Sequence, residues 1–242
     1  MSTREDWQRR LGPLYGGAVA LVHSSSWRWP NEVADDARSP GWVLAVGVPI
    51  GVIAYLAATV LHGLHVPAAV CAIVGLSVMS LASAGIVERG LVDRIDRSQA
   101  RSPSTPAVLV LGFTMLVRAA AIGSVAPAHW LGAFVATALV GRWAAVFPQA
   151  IGDPILDDRS PRSLVAAPAP AWLAAAIGLA LASICTLALG RAGLAAVVLA
   201  TIGAFALGID AQRRDHGLSA AVVATSAALG EMFVLLAAAA AA

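Results

Sequence analysis

The chain has 242 residues, 59% of them hydrophobic and only 12% charged, with a formal net charge of +2 and a mean hydropathy of +0.78. A soluble domain carries about 25% charged residues, so this composition excludes an ordinary soluble fold. Apolar runs of about 20 residues match a hydrocarbon core of roughly 30 Å, and the chain reads as an all-α integral membrane protein.

Residues 1–41 read as a cytoplasmic or interfacial N-terminal segment. The opening MSTREDWQRRLGPLYGG lacks the compact apolar stretch and cleavage site of a secretory signal. LGPLYGGAVALVH (11–23) is apolar but short for a span, and reads as an interfacial or re-entrant piece. Seven spans are expected over 42–64, 66–87, 107–126, 129–151, 171–190, 192–209 and 218–240, making 42–242 a seven-helix transmembrane domain. Pro67, Pro103, Pro106, Pro127, Pro161, Pro168, Pro170 and Gly190 punctuate the joins. Cys71 and Cys185 lie within apolar runs without metal or disulfide spacing, and read as core residues.

All sixteen basic residues are arginine, and thirteen fall in the N-terminal segment and the second, fourth and sixth loops. Arg191 alone lies in the opposite loops, while Arg118 and Arg142 fall within spans. The positive-inside rule therefore puts the N-terminus in the cytoplasm and the C-terminus outside, in a bacterial-type inner membrane. Thirteen of the fourteen acidic residues share the cytoplasmic side, and the last, Glu231, is inside the final span. Any chemistry is expected at the cytoplasmic face.

Three polar constellations stand out. GIVERGLVDRIDR (85–97) sets Glu88, Asp93 and Asp96 beside Arg89 and Arg94, where the second span ends. If helix continues, Asp93 and Asp96 share a face, with Arg89 one turn before Asp93. Paired carboxylates suit Mg²⁺ when a phosphate supplies the remaining oxygens, although the same residues also suit a solvated topology loop. GDPILDDRSPR (152–162) adds Asp153, Asp157 and Asp158 with Arg159 and Arg162 on the same side. It reads either as a turn or as the second wall of a metal and diphosphate site. Third, Arg118, Arg142 and Glu231 lie inside spans, where a charge costs at least about 2.5–3.5 kcal/mol and needs a partner or polar cavity. Glu231 is the expected counter-ion of one arginine, in a structural bridge or an anion site. His62, His65 and His129 fall at external span ends and suit interfacial packing, and His216 alone lies near candidate chemistry. There is no P-loop, no GxGxxG and no zinc spacing, and nothing points to nucleic acid.

The order and spacing of VERGLVDRIDR (87–97), Arg118, GRWA (141–144), HGLSAA (216–221) and LGE (229–231) resemble the cobalamin synthase family, the adenosylcobinamide-GDP ribazoletransferases, from about Trp42 to Leu236. That family joins adenosylcobinamide-GDP to α-ribazole with loss of GMP, using Mg²⁺ in an integral membrane enzyme. Its motif after the second span is H-L-D-G-L-A-D-T-x-D-G. Gly90, Leu91, Asp93 and Asp96 match it, while Val87 and Arg89 replace the histidine and first aspartate. Arg118 stands at a usual lysine position. A late G-G-x-T-G-D stretch is replaced by HGLSAA, with Ala221 for its aspartate.

The resemblance implies a Mg²⁺-dependent membrane transferase acting on a phosphoanhydride. Asp93 and Asp96 are then the expected metal ligands, with Glu88 beside them; the second acidic cluster, apart from the resemblance, adds Asp157 as a metal ligand and Asp153 and Asp158 as catalytic candidates. Arg89, Arg94, Arg118, Arg142, Arg159 and Glu231 are expected to contact the phosphate- or diphosphate-bearing substrate, a corrinoid in that reading. A second reading keeps the scaffold and ionises an isoprenoid diphosphate between the two Asp-rich clusters, as a membrane terpene cyclase or prenyltransferase. A third is a non-catalytic paralogue.

Overall fold

The computed structural model describes residues 3–28, 39–96, 103–153, 155, 162–167 and 169–241. Its elements are α1 (Thr3–Leu11), α2 (Tyr15–Ser24), α3 (Pro40–Ala45), α4 (Gly47–Gly63), α5 (Ala68–Ala82), α6 (Ile86–Ile95), α7 (Thr105–Gly123), α8 (Trp130–Gln149), α9 (Ala171–Asp215) and α10 (Ala220–Ala241). No strand occurs among the described residues. Helix is what these sequences require in lipid, because hydrocarbon offers no partner for a backbone N–H or C=O.

Among the described residues, five helical stretches are long and apolar enough to cross a membrane: Pro40–Gly63, Thr105–Gly123, Pro127–Gln149, Ala171–Asp215 and Ala220–Ala241. A sixth is added if α5 and α6 form one broken span, bent by 77°. The 45-residue α9 is not straight. Gly190, at φ 62° and ψ −149°, breaks it in a region open only to glycine. Gly193 then lies against the carbonyl of Cys185, although eight residues of straight helix would separate them by about 12 Å. The chain therefore turns back, and residues 171–189 and 191–215 form two arms. Trp143 of α8 touches both, lying against Gly178 and donating its indole N–H to Thr201 Oγ1 at 3.3 Å.

Small residues set the helix spacing. Gly47, Gly51, Ala54 and Ala58 line the buried face of α4, against α8 and α5. Such stripes let helices approach where lipid provides no hydrophobic drive to associate. α8 and α10 form the heart of the bundle, and α10 packs on α6, α7, α8 and α9. On α7, Leu109, Phe113 and Leu116 face outward while Ala107, Arg118, Ala121 and Ile122 face in, so the helix is two-sided despite its apolar composition.

One end of the bundle gathers the charges. There Ser26 N–H donates to Ala82 O, Ser163 N–H to His23 O, Leu218 N–H to Asp153 O and Ile155 N–H to Leu218 O. Gln149, at the end of α8, clamps the non-helical segment beyond it. Its Nε2 donates to Leu164 O at 3.2 Å, and its Oε1 accepts from Ala166 N–H at 2.8 Å. Leu164 and Ala166 are consequently buried. Buried irregular backbone needs its N–H and C=O groups satisfied by protein in this way.

Candidate functional site

The expected second span does not run on as one helix to residue 87. Ala84 and Gly85 both adopt left-handed φ, 57° and 62°, and α6 leaves at an angle. Across the break Ser80 Oγ donates to Glu88 Oε1 at 2.6 Å. That same oxygen accepts from Arg118 Nη1 at 3.2 Å, and Arg118 Nη2 pairs with Glu231. Glu88, Arg118 and Glu231 therefore form one buried chain of charges linking α6, α7 and α10. Arg118 is 1% exposed and Glu231 3%.

Gly141 explains how Glu231 fits. A Cβ at that position would stand 2.5 Å from Glu231 Cγ, so the glycine of GRWA opens the space that the LGE glutamate fills. Arg142 takes a different partner, with Nη2 donating to Ser24 O at 3.1 Å. Ser24 ends α2, and a guanidinium at a helix C-terminus meets the negative end of its dipole. The short apolar segment is thus helix α2, and its end is held inside the bundle by an arginine of α8.

At the charged end, α6 lies tightly on the start of α10. Any side chain at Gly90 would collide with Ala224, and Thr225 Oγ1 donates to Gly90 O at 3.4 Å. A cavity of about 190 Å³ opens beside this contact, lined by Arg89, Gly90, Asp93, Arg162, Ala221 and Ala224 among others. Three segments distant in sequence meet there. VERGLVDRIDR supplies Arg89 and Asp93, the stretch ending at 162 supplies Arg162, and the HGLSAA region supplies Ala220 and Ala221. Two guanidiniums and one carboxylate thus share a small-residue wall, and guanidiniums are the side chains that pair best with carboxylate or phosphate oxygens.

Other expected site residues lie elsewhere. α6 ends at Ile95, and Asp96 caps it at φ −91° and ψ 70°, so Asp93 and Asp96 do not continue along one helical face. Asp96 Oδ2 accepts from Ser104 N–H at 2.7 Å and ties the end of α6 to the start of α7. Arg94 bonds Asp215 at 2.6 Å and Asp210 at 3.1 Å, joining α6 to the end of α9. Asp153 is exposed, with its carbonyl in the pairing to Leu218. His216 is exposed at the left-handed end of α9. Asp157, Asp158 and Arg159 lie outside the described residues. Two residues that sequence reasoning passed over have clear roles, Ser80 at the break and Gln149 at the clamp. A glutamine inside an otherwise apolar span was a readable signal, whereas a serine in a helix was not.

Among the described residues no three His, Cys, Asp or Glu side chains converge to hold a metal. Mg²⁺ does not need such a cage, since it commonly binds one or two carboxylates together with substrate phosphates and waters. Asp93 is the carboxylate among the residues lining the cavity, and the donor set fits a substrate-bridged ion only. Compared with protein-family models, with curated proteins and with solved structures, the chain matches none.

Proposed function

We propose that this chain is a membrane-embedded transferase that takes the phosphate or diphosphate of its substrate into the cavity at its charged end. The meeting of Arg89, Asp93 and Arg162 around one opening carries this reading. Arg89 and Arg162 grip phosphate oxygens, and Asp93 orients the incoming hydroxyl or shares a Mg²⁺ ion with the phosphates. That ion, when bound, offsets charge developing on the phosphoanhydride, as in phosphoryl transfer generally. The cavity accommodates the phosphate part of a substrate, and the bulk of the molecule rests outside it at the membrane surface.

The resemblance to cobalamin-synthase motifs makes adenosylcobinamide-GDP with α-ribazole the first substrate pair to try, with GMP as leaving group. Seven crossings belong to the same proposal. The reversal at Gly190 supports counting the two arms of α9 separately, the bent pair α5–α6 counts once, and the arginine bias puts the cavity on the cytoplasmic side. The test is incubation of membranes holding the chain with Mg²⁺ and either that pair or prenyl diphosphates. GMP release with a cobamide product is expected. A hydrocarbon or terpene alcohol would transfer the site to diphosphate ionisation, and no product from either would overturn both activities.

A further inference from the structure

We propose that the groove between the end of α8 and the second arm of α9 binds one anionic phospholipid of the surrounding bilayer. This groove, about 290 Å³, is separate from the charged cavity and shares no lining residue with it. Its apolar walls include Pro148, Phe205, Ile209 and Leu218. Phe205 is 45% exposed and Ile209 36%, so the groove opens sideways, toward lipid. Phe205, Ile209 and Gln212 follow one another along one face of the arm. They lead from the apolar depth of the bundle to its charged end, over about 10 Å of helix.

The polar groups at that end are donors. Gln212 Nε2 is buried with no hydrogen-bond partner among the described residues. Arg213 lines the same groove and is exposed, with no ion pair among the described residues. A buried amide N–H without an acceptor is costly, and among the described lining residues no side chain carries a carboxylate or hydroxyl. The occupant must therefore bring acceptor oxygens, one negative charge to match one guanidinium, and an aliphatic chain for the walls. A phospholipid phosphodiester with its ester carbonyls carries all three. Free inorganic phosphate leaves the apolar walls uncovered, and a diphosphate carries more charge than one arginine balances.

The full chain, purified in neutral detergent, is titrated with phosphatidylglycerol or phosphatidylcholine and followed by native mass spectrometry. One phosphatidylglycerol should be retained about fivefold more strongly than phosphatidylcholine, the worth of one arginine near an anionic surface. Arg213→Ala should abolish that preference and Arg213→Lys should keep it. Gln212→Leu, which preserves shape, should weaken retention of both lipids. Equal retention of the two lipids by the unaltered protein would overturn the proposal, as would an unchanged preference in Arg213→Ala. Displacement of the lipid by millimolar inorganic phosphate would also overturn it, reassigning the site to a free anion.

Discussion

The mid-bundle charge chain and the cavity at the charged end draw on the same residue types, arginine and carboxylate, yet they differ in closure. In the first, each charge has a partner chosen by geometry. Glu88 and Glu231 share Arg118, which is 1% exposed. In the second, Arg89 and Asp93 are exposed and share a cavity with Arg162. The closed set holds angles, since it fixes α6 at the break after α5 and seats α10 on α8. The second set lines an opening at the surface. The buried charges thus position the exposed ones, because α6 carries Glu88 inward and Arg89 and Asp93 to the cavity within two turns.

Removing the shared cation should separate the two regions most sharply. Arg118→Leu leaves the buried Glu231 and the half-buried Glu88 without their shared cation and should cost about 3–5 kcal/mol. Denaturant titration in detergent would measure it. The double variant Arg118→Leu with Glu231→Leu should recover part of that loss, since an apolar pair replaces a lone charge. If the single variant is as stable as the parent, the buried chain is not what holds α6.

Asp93→Asn should do the reverse. Its side chain is exposed, so losing its charge should change stability by about 0–1 kcal/mol, while turnover in the proposed transferase reaction should fall on the order of 100-fold. A stability loss comparable to that of Arg118→Leu would erase the distinction between the regions. The smallest effect is expected for Arg94→Gln, whose bonds to Asp210 and Asp215 lie at the part-exposed rim. Such pairs are worth about 0–1 kcal/mol, so thermal unfolding should move little. A large loss there would make the α6–α9 tie, rather than the buried charges, the anchor of the site.

Much of this molecule was legible before folding. Apolar runs require helices in lipid, and Pro and Gly mark their ends. Three ionisable groups inside spans demand partners, and Glu231 does meet an arginine. The bias of arginines to one end coincides with the end where the loops pair and the cavity opens. These follow from composition and local order, which water and hydrocarbon sort without reference to tertiary contacts.

The tertiary structure decided which charge met which. Glu88 and Asp93 stand five residues apart and look alike as metal-ligand candidates in sequence. The break at Ala84 and Gly85 turns Glu88 toward Arg118 and leaves Asp93 at the cavity. Asp96 closes the turn to Ser104, and Arg142 meets the end of α2 rather than Glu231. The partners of Glu88 and Arg142 lie on other helices, 30 residues away for Glu88 and Arg118 and 118 for Arg142 and Ser24. Desolvation makes a buried charge accept whichever partner packing brings near, and local sequence does not hold that information.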